Sequence, residues 1–229
     1  MNPEVYKIDW GPKPNTRFFA FVPEKYHILG HHKFTRLATL LALKYQMITH
    51  YTKPGSLILE PCSGSGFGAE ILKNSGYRVE CIENNKFLAQ MNRTRGLNVR
   101  EENILDCQLA DNCYDGIVFI DAIEHFEEEN QQKLLTSFHK TLKSNGVLVI
   151  DTPCAPKTGY VNKEHLREVD WADFETLVSS CGFHIEARFL LIWEGDMVMP
   201  FRKDGKSLAD IQKLMTSGMS IDQVIVARP

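Results

Sequence analysis

The stretch Glu60-Pro61-Cys62-Ser63-Gly64-Ser65-Gly66-Phe67-Gly68 constrains this chain more than any other segment. It closes an apolar run, Ser56 to Glu60, that reads as a buried strand, and it opens Gly68 to Asn74, which reads as a helix ended by Gly76. Glycines between a strand and a helix let backbone amides approach a ligand closely at the helix amino terminus. Alone, the segment leaves the ligand open. Gly64-x-Gly66-x-x-Ala69 satisfies the dinucleotide fingerprint, and Glu83 follows about 20 residues on, where a ribose-binding acid belongs.

The same rhythm continues. Tyr77 to Ile82 reads as a strand, Lys86 to Arg95 as a helix ended by Gly96, Asn98 to Glu101 as a weak strand, and Tyr114 to Ile120 as a fourth. Glu127 to Lys143 reads as a helix stopped at Asn145-Gly146, and Val147 to Asp151 as a fifth strand. Strands alternating with helices at this spacing predict a doubly wound α/β fold on a parallel sheet. The tail breaks the rhythm. Asp170 reads as the N-cap of a helix through Ser180, followed by a strand from Phe183 to about Trp193, a loop, a short helix near Ser207 to Met215 and a strand Gln223 to Ala227. This predicts seven strands, mostly parallel, with an antiparallel carboxy-terminal pair.

Upstream, apolar residues from Phe34 to Leu43 recur at helical spacing, predicting a helix over Lys33 to Ile48. The first 30 residues, with Pro3, Pro12, Pro14 and Pro23, read as an irregular arm. With 229 residues, 43% of them hydrophobic, the chain has length for one good core and a small lid. A net charge of -3 argues against a protein held on nucleic acid or an anionic membrane by bulk charge. Residues 1 to 53 nonetheless carry eight Lys or Arg against three acids. Six scattered cysteines without a CxxC pair suggest free thiols. With no apparent signal peptide and no apolar run near the roughly 20 residues of a membrane span, a cytoplasmic location is expected.

Glu60 is separated from Gly64 by Pro61, Cys62 and Ser63, whereas a dinucleotide site places its first glycine directly after the strand. The segment therefore resembles the Asp/Glu-x-Gly-x-Gly-x-Gly motif of class I S-adenosylmethionine (SAM)-dependent methyltransferases, with Glu60, Gly64 and Gly66 matching and Cys62 standing where glycine is usual. Asp111-Asn112-Cys113-Tyr114-Asp115 is similar to that family's entry into its fourth strand. The resemblance implies SAM as cofactor, an N-terminal lid at 1–50 and a SAM-binding domain at 51–229. It also implies cofactor contacts from Glu60, Cys62, Ser63, Gly64, Gly66, Glu83, Asn84 and Asp121. Asn103 would meet the adenine amine, and the Ile104 amide a ring nitrogen. Arg36 could pair with the SAM carboxylate or take a surface role.

Asp121-Ala122-Ile123-Glu124-His125 falls where strand four opens, beside the expected methyl group. If the chain turns helical there, Asp121, Glu124 and His125 share one face. The cluster is similar to the Glu-x-x-Glu-His of ubiquinone-pathway O-methyltransferases and of small-RNA 3'-terminal 2'-O-methyltransferases, which implies a divalent metal such as Mg on Asp121, Glu124 and His125, with His165 as a fourth ligand. A metal-free base at His125 and a purely structural role are the competing readings. The expected reaction is O-methylation of a small hydroxylated acceptor such as a sugar, phenol or natural-product intermediate, with the segment Trp193 to Lys206 shaping its pocket. RNA 2'-O-methylation and a non-catalytic SAM-binding partner protein are the alternatives.

Overall fold

The computed structural model describes residues 6–9, 17–20, 40–154, 164–194, 197–202 and 221–229. Two short strands, β1 (Tyr6–Asp9) and β2 (Arg17–Ala20), pair antiparallel where the proline-punctuated sequence predicts an irregular arm. Residues 40–46 are helical (α1) and pass into a 3-10 turn at Met47–His50. Then follow β3 (Leu57–Pro61), α2 (Phe67–Asn74), β4 (Arg78–Ile82), α3 (Lys86–Thr94), β5 (Asn98–Arg100) and β6 (Tyr114–Phe119). A 3-10 turn, Ile123–His125, leads to α4 (Glu128–Thr141) and β7 (Leu142–Pro153). The chain closes with α5 (Trp171–Ser180), β8 (His184–Glu194), β9 (Met197–Arg202) and β10 (Ile221–Arg228).

One sheet carries strands β3 to β10 in the order β5-β4-β3-β6-β7-β10-β8-β9. The five from β5 to β7 are parallel, and β10 joins β7 and β8 antiparallel. These are the seven expected strands, with the antiparallel pair at the carboxy terminus. Met197–Arg202, read from sequence as loop, adds β9 as an eighth, antiparallel edge strand beside β8. The short helix expected near Ser207 to Met215 lies outside the described residues.

Successive residues of a strand face opposite sides of a sheet, so the apolar runs feed two cores. Ile58, Val118 and Val149 face one side with Leu43, Ile48 and Leu72; Leu59, Ile117 and Ile150 face the other with Phe138 of α4 and Phe174 of α5. Each fully buried side chain of this size contributes about 1.5–3 kcal/mol. Asp170 caps α5 as its sequence position predicts, accepting the Asp173 amide at 3.0 Å. The strand order reverses between β3 and β6, and in open α/β sheets ligands bind outside the strand carboxyl ends at that switch point.

Candidate active site

The loop after β3 bends because three residues take left-handed backbone: Cys62 (φ 57°), Gly64 (φ 53°) and Gly66 (φ 75°). Glycine does this without steric cost, whereas Cys62 carries a side chain into the same geometry. The turn that the resembled motif builds with glycine therefore forms here with cysteine, whose thiol, pushed up to about 12 by burial, is neutral. A side chain at Gly64 would meet nothing within 4 Å, so the loop leaves open space there. Ser63, buried, is fixed through its amide to the Ile82 carbonyl (3.1 Å) and through Oγ to Asn92 Oδ1 (3.1 Å). Glu60, below the loop, is fully buried, and neither of its oxygens has a donor at hydrogen-bonding geometry. Burial pushes its carboxyl up to about 8, with Tyr45 and the Ala69 amide drawing it only partly back.

Glu83, at the end of β4, accepts the Gly64 amide on Oε2 (2.8 Å) and the Asn85 amide on Oε1 (2.9 Å). Each oxygen keeps a second lone pair, which is what a ribose diol needs, and the two amides hold the carboxylate against the loop. Asn84 beside it is exposed. Asn103 shapes a turn: its Oδ1 accepts the Leu105 amide (3.1 Å) and its carbonyl accepts from Asp106 and Cys107. That oxygen is the atom expected to meet the adenine amine, so one of its two lone pairs is already used. Ile104 is buried among the apolar side chains of that turn. Open space at Gly64, a diol acceptor at Glu83 and a turn at Asn103 run in one line from β3 to β5, and these residues fit a nucleoside ligand. Arg36 lies outside the described residues.

At the end of β6 the expected helical face is not formed. Asp121 has a left-handed φ of 48°, and only Ile123–His125 make a helical turn. The Asp121 amide donates to Asp151 Oδ1 (2.7 Å), and its Oδ1 accepts from Lys44 Nζ (2.6 Å). Lys44 is 1% exposed, with Asp151 Oδ2 at 2.5 Å and Asp222 Oδ2 at 3.2 Å. Burial alone would lower its pKa, but the three carboxylates outweigh burial and hold the ammonium well above its ordinary value. Burial raises Asp151 and Asp222, with Lys44 pulling both back.

Glu124, His125 and His165 form a separate group. One ligand atom from each lies within 4.8 Å of the others, as do those of Asp121, Asp151 and Asp222, so Asp121 stands with a different set from the one its sequence position suggests. His125 Nδ1 lies 2.9 Å from the Glu164 carbonyl, and His165 Nδ1 lies 2.5 Å from Glu168 Oε1. The two rings meet edge to face with centroids 5.0 Å apart. Glu124 is buried, accepts from Thr152 Oγ1 at 3.2 Å, and its carbonyl takes the Leu166 and Arg167 amides, which ties the His165 segment to the turn. Burial raises its carboxyl above the usual range.

The sequence does not single out Lys44, Asn92, Asp151 or Asp222 as site residues. Asp151 carries a signal, an acid closing the apolar run Val147 to Ile150; Lys44, in an amphipathic helix, carries none.

Residues 59–150 match a family model described as a methyltransferase domain. No curated protein matches the chain. Among solved structures, a SAM-dependent methyltransferase from Archaeoglobus fulgidus is 17% identical, covers 90% of this chain and 97% of its own, and superposes with a TM-score of 0.66. A TehB-like SAM-dependent methyltransferase from Corynebacterium glutamicum is 18% identical over 81% of this chain and 86% of its own, with a TM-score of 0.59. The [4+2]-cyclase SpnF is 13% identical over 82% of this chain and 81% of its own, also at 0.59. At such identities the structural likeness speaks for the fold alone.

Proposed function

We propose that this chain, a class I SAM-dependent methyltransferase by its matched domain and its fold, methylates a hydroxyl oxygen of a small acceptor that Glu124, His125 and His165 prepare for attack. Methyl transfer from a sulfonium is an in-line displacement on an activated carbon, so the protein mainly aligns donor and acceptor and excludes water. An amine acceptor needs little more. A hydroxyl needs a base or a metal ion to expose its nucleophile.

The observation that carries this reading is the hydrogen bonding of the two imidazoles. A carbonyl and a carboxylate accept only, so His125 and His165 each place a proton on Nδ1, and in the neutral imidazole the lone pair is then on Nε2. With the buried Glu124 carboxylate, the donor set is two imidazoles and one carboxylate on fixed outer partners, the usual support of metal-binding histidines. These residues fit a divalent ion. Two nitrogens make a transition ion such as manganese, cobalt or zinc a better match than magnesium. Such an ion, when bound, would lower the pKa of a coordinated hydroxyl. Without it, the same Nε2 of His125 can take the hydroxyl proton.

Among the described residues the acids Glu83, beside the glycine loop, and the partly exposed Asp121, at the end of β6, suit a neutral hydroxylated molecule better than a phosphate backbone. Labelled SAM offered with a panel of catechols, phenols and sugars, before and after EDTA and with manganese restored, tests the proposal. Label should enter an oxygen acceptor and fall at least about a hundredfold in a His125→Ala, His165→Ala double variant, the lower end expected for general acid–base assistance. Full transfer by that variant, or label on nitrogen alone, would overturn it.

A further inference from the structure

On the cofactor reading proposed above, Glu83 and Asn103 hold the adenosine end of SAM on the β4 and β5 side of the glycine loop. The sulfonium end must then extend across the switch point toward β6, the strand that delivers Asp121. The Asp121 side chain is 39% exposed, and its Oδ1 is taken by Lys44 while Oδ2 has no partner among the described residues. Its left-handed backbone is the strained kind that persists only where the surroundings impose it. Here they do so twice, through the Asp151 carboxylate on its amide and the Lys44 ammonium on its side chain.

The cluster also has a charge surplus. Three carboxylates surround one ammonium, and the place that three acids offer a cation is filled by Lys44 itself. The three acids outnumber the ammonium, and Lys44 draws the buried Asp151 and Asp222 toward their ionised forms against burial. Asp151 and Lys44 are sealed from water, so the surplus is felt at the exposed member, Asp121.

We propose that Lys44, Asp151 and Asp222 act as positioning residues that hold Asp121 as a charge-reading carboxylate, favouring the sulfonium of SAM over the neutral thioether of S-adenosylhomocysteine. Transfer of the methyl group moves the sulfonium's positive charge off sulfur and, once the acceptor loses its proton, out of the site. The attraction that loads the donor is therefore absent for the spent product, which leaves more readily. The inference stands on the cofactor and is independent of which atom accepts the methyl group.

The test uses the full-length protein and calorimetry with SAM and S-adenosylhomocysteine separately, with no acceptor present. The wild type should bind SAM more tightly than S-adenosylhomocysteine. Asp121→Asn, which keeps shape and removes charge, should weaken SAM by about tenfold and S-adenosylhomocysteine by less than about twofold, as expected for one charge acting at short range in a partly buried site. Lys44→Arg should keep the preference. Asp222→Asn removes charge behind Lys44 without reaching the ligand, and should reduce the preference about threefold by the same Coulombic reasoning even if Asp121→Asn fails to fold. Equal weakening of both ligands in Asp121→Asn, an unchanged ratio in Asp222→Asn, or a wild type that does not prefer SAM would each overturn the proposal. Failure of the wild type to bind either ligand would overturn it together with the cofactor assignment, whereas failure of the hydroxyl-acceptor reading would leave these ratios untouched.

Discussion

Asn92, fully buried on α3, donates through Nδ2 to the carbonyl of Gly64 at 2.7 Å. The same amide reaches the Leu88 carbonyl at 2.9 Å, and its Oδ1 accepts from Ser63 Oγ at 3.1 Å. One side chain thus ties the glycine loop to the helix behind it. Removing it in Asn92→Ala leaves the Gly64 carbonyl without its side-chain donor and the buried Ser63 hydroxyl without its acceptor, at a cost of about 1–3 kcal/mol. Urea denaturation should show that loss. Calorimetry should show weaker S-adenosylhomocysteine binding, because the loop loses its tether to α3. Unchanged affinity in a destabilised variant would mean that the tether serves stability alone.

Cys62 is the second loop residue whose chemistry can be separated from its backbone. At φ 57° a Cβ is unfavourable, and β-branched side chains fit worst. Cys62→Gly should therefore keep cofactor binding and stay within about 1 kcal/mol of wild-type stability, relief of strain offsetting the entropy glycine adds to the unfolded chain. Cys62→Val should cost about 1–3 kcal/mol. Thermal unfolding of the pair decides: equal melting temperatures would show that the conformation carries no strain.

Much of this architecture is legible because it is local. Glycines after apolar runs, the Asp170 cap and the alternation of strand and helix each lie within one short window, and the structure reproduces them within a few residues. β9 was not legible, since Met197–Arg202 is an edge strand held by pairing with β8 rather than by any alternating pattern of its own. At the site the order of Glu60, Glu83, Asn103 and Asp121 could be read, whereas the Lys44 cage could not. A lysine in an amphipathic helix signals a solvated face, and the acids that bury this one arrive from β6, β7 and β10, brought together only by the closed sheet. Asp121 shows the limit from the other side: the i, i+3, i+4 rule holds only in a helix, and its φ of 48° takes it out of one.

The buried Glu60 carboxyl makes stability depend on pH in an uncommon direction. Its pKa rises from an ordinary 4.5 to about 8 on folding, so between those values the folded state holds a proton that the unfolded state has released. Stability is then greatest at the acid end of the window and falls by up to about 1.4 kcal/mol per pH unit as pH rises toward 8. Glu60→Gln, neutral throughout, should flatten that slope. Urea midpoints of the ligand-free protein at several pH values between 5 and 8 would check it, and identical slopes for variant and wild type would show that Glu60 is ionised in the fold.

Glu168 offers a way to probe the His125 and His165 pair without touching a ligand atom. Its carboxylate lies 2.5 Å from His165 Nδ1, where it fixes the tautomer and makes Nε2 a stronger donor. Glu168→Gln keeps an acceptor oxygen but loses the charge, so the ring should hold its orientation while its basicity falls. Outer partners of this kind typically change metal affinity about 10–100-fold. Titration of the purified protein with manganese or zinc should therefore give a Kd weakened within that range. His125, held by a backbone carbonyl that no side-chain substitution removes, serves as the internal reference: His125→Ala should weaken metal binding further, since a ligand rather than its support is lost. If Glu168→Gln left affinity unchanged while His125→Ala abolished it, His165 would not be a ligand, and the site would reduce to Glu124 and His125. If neither variant altered metal binding, the trio would hold no metal and His125 would remain as the base.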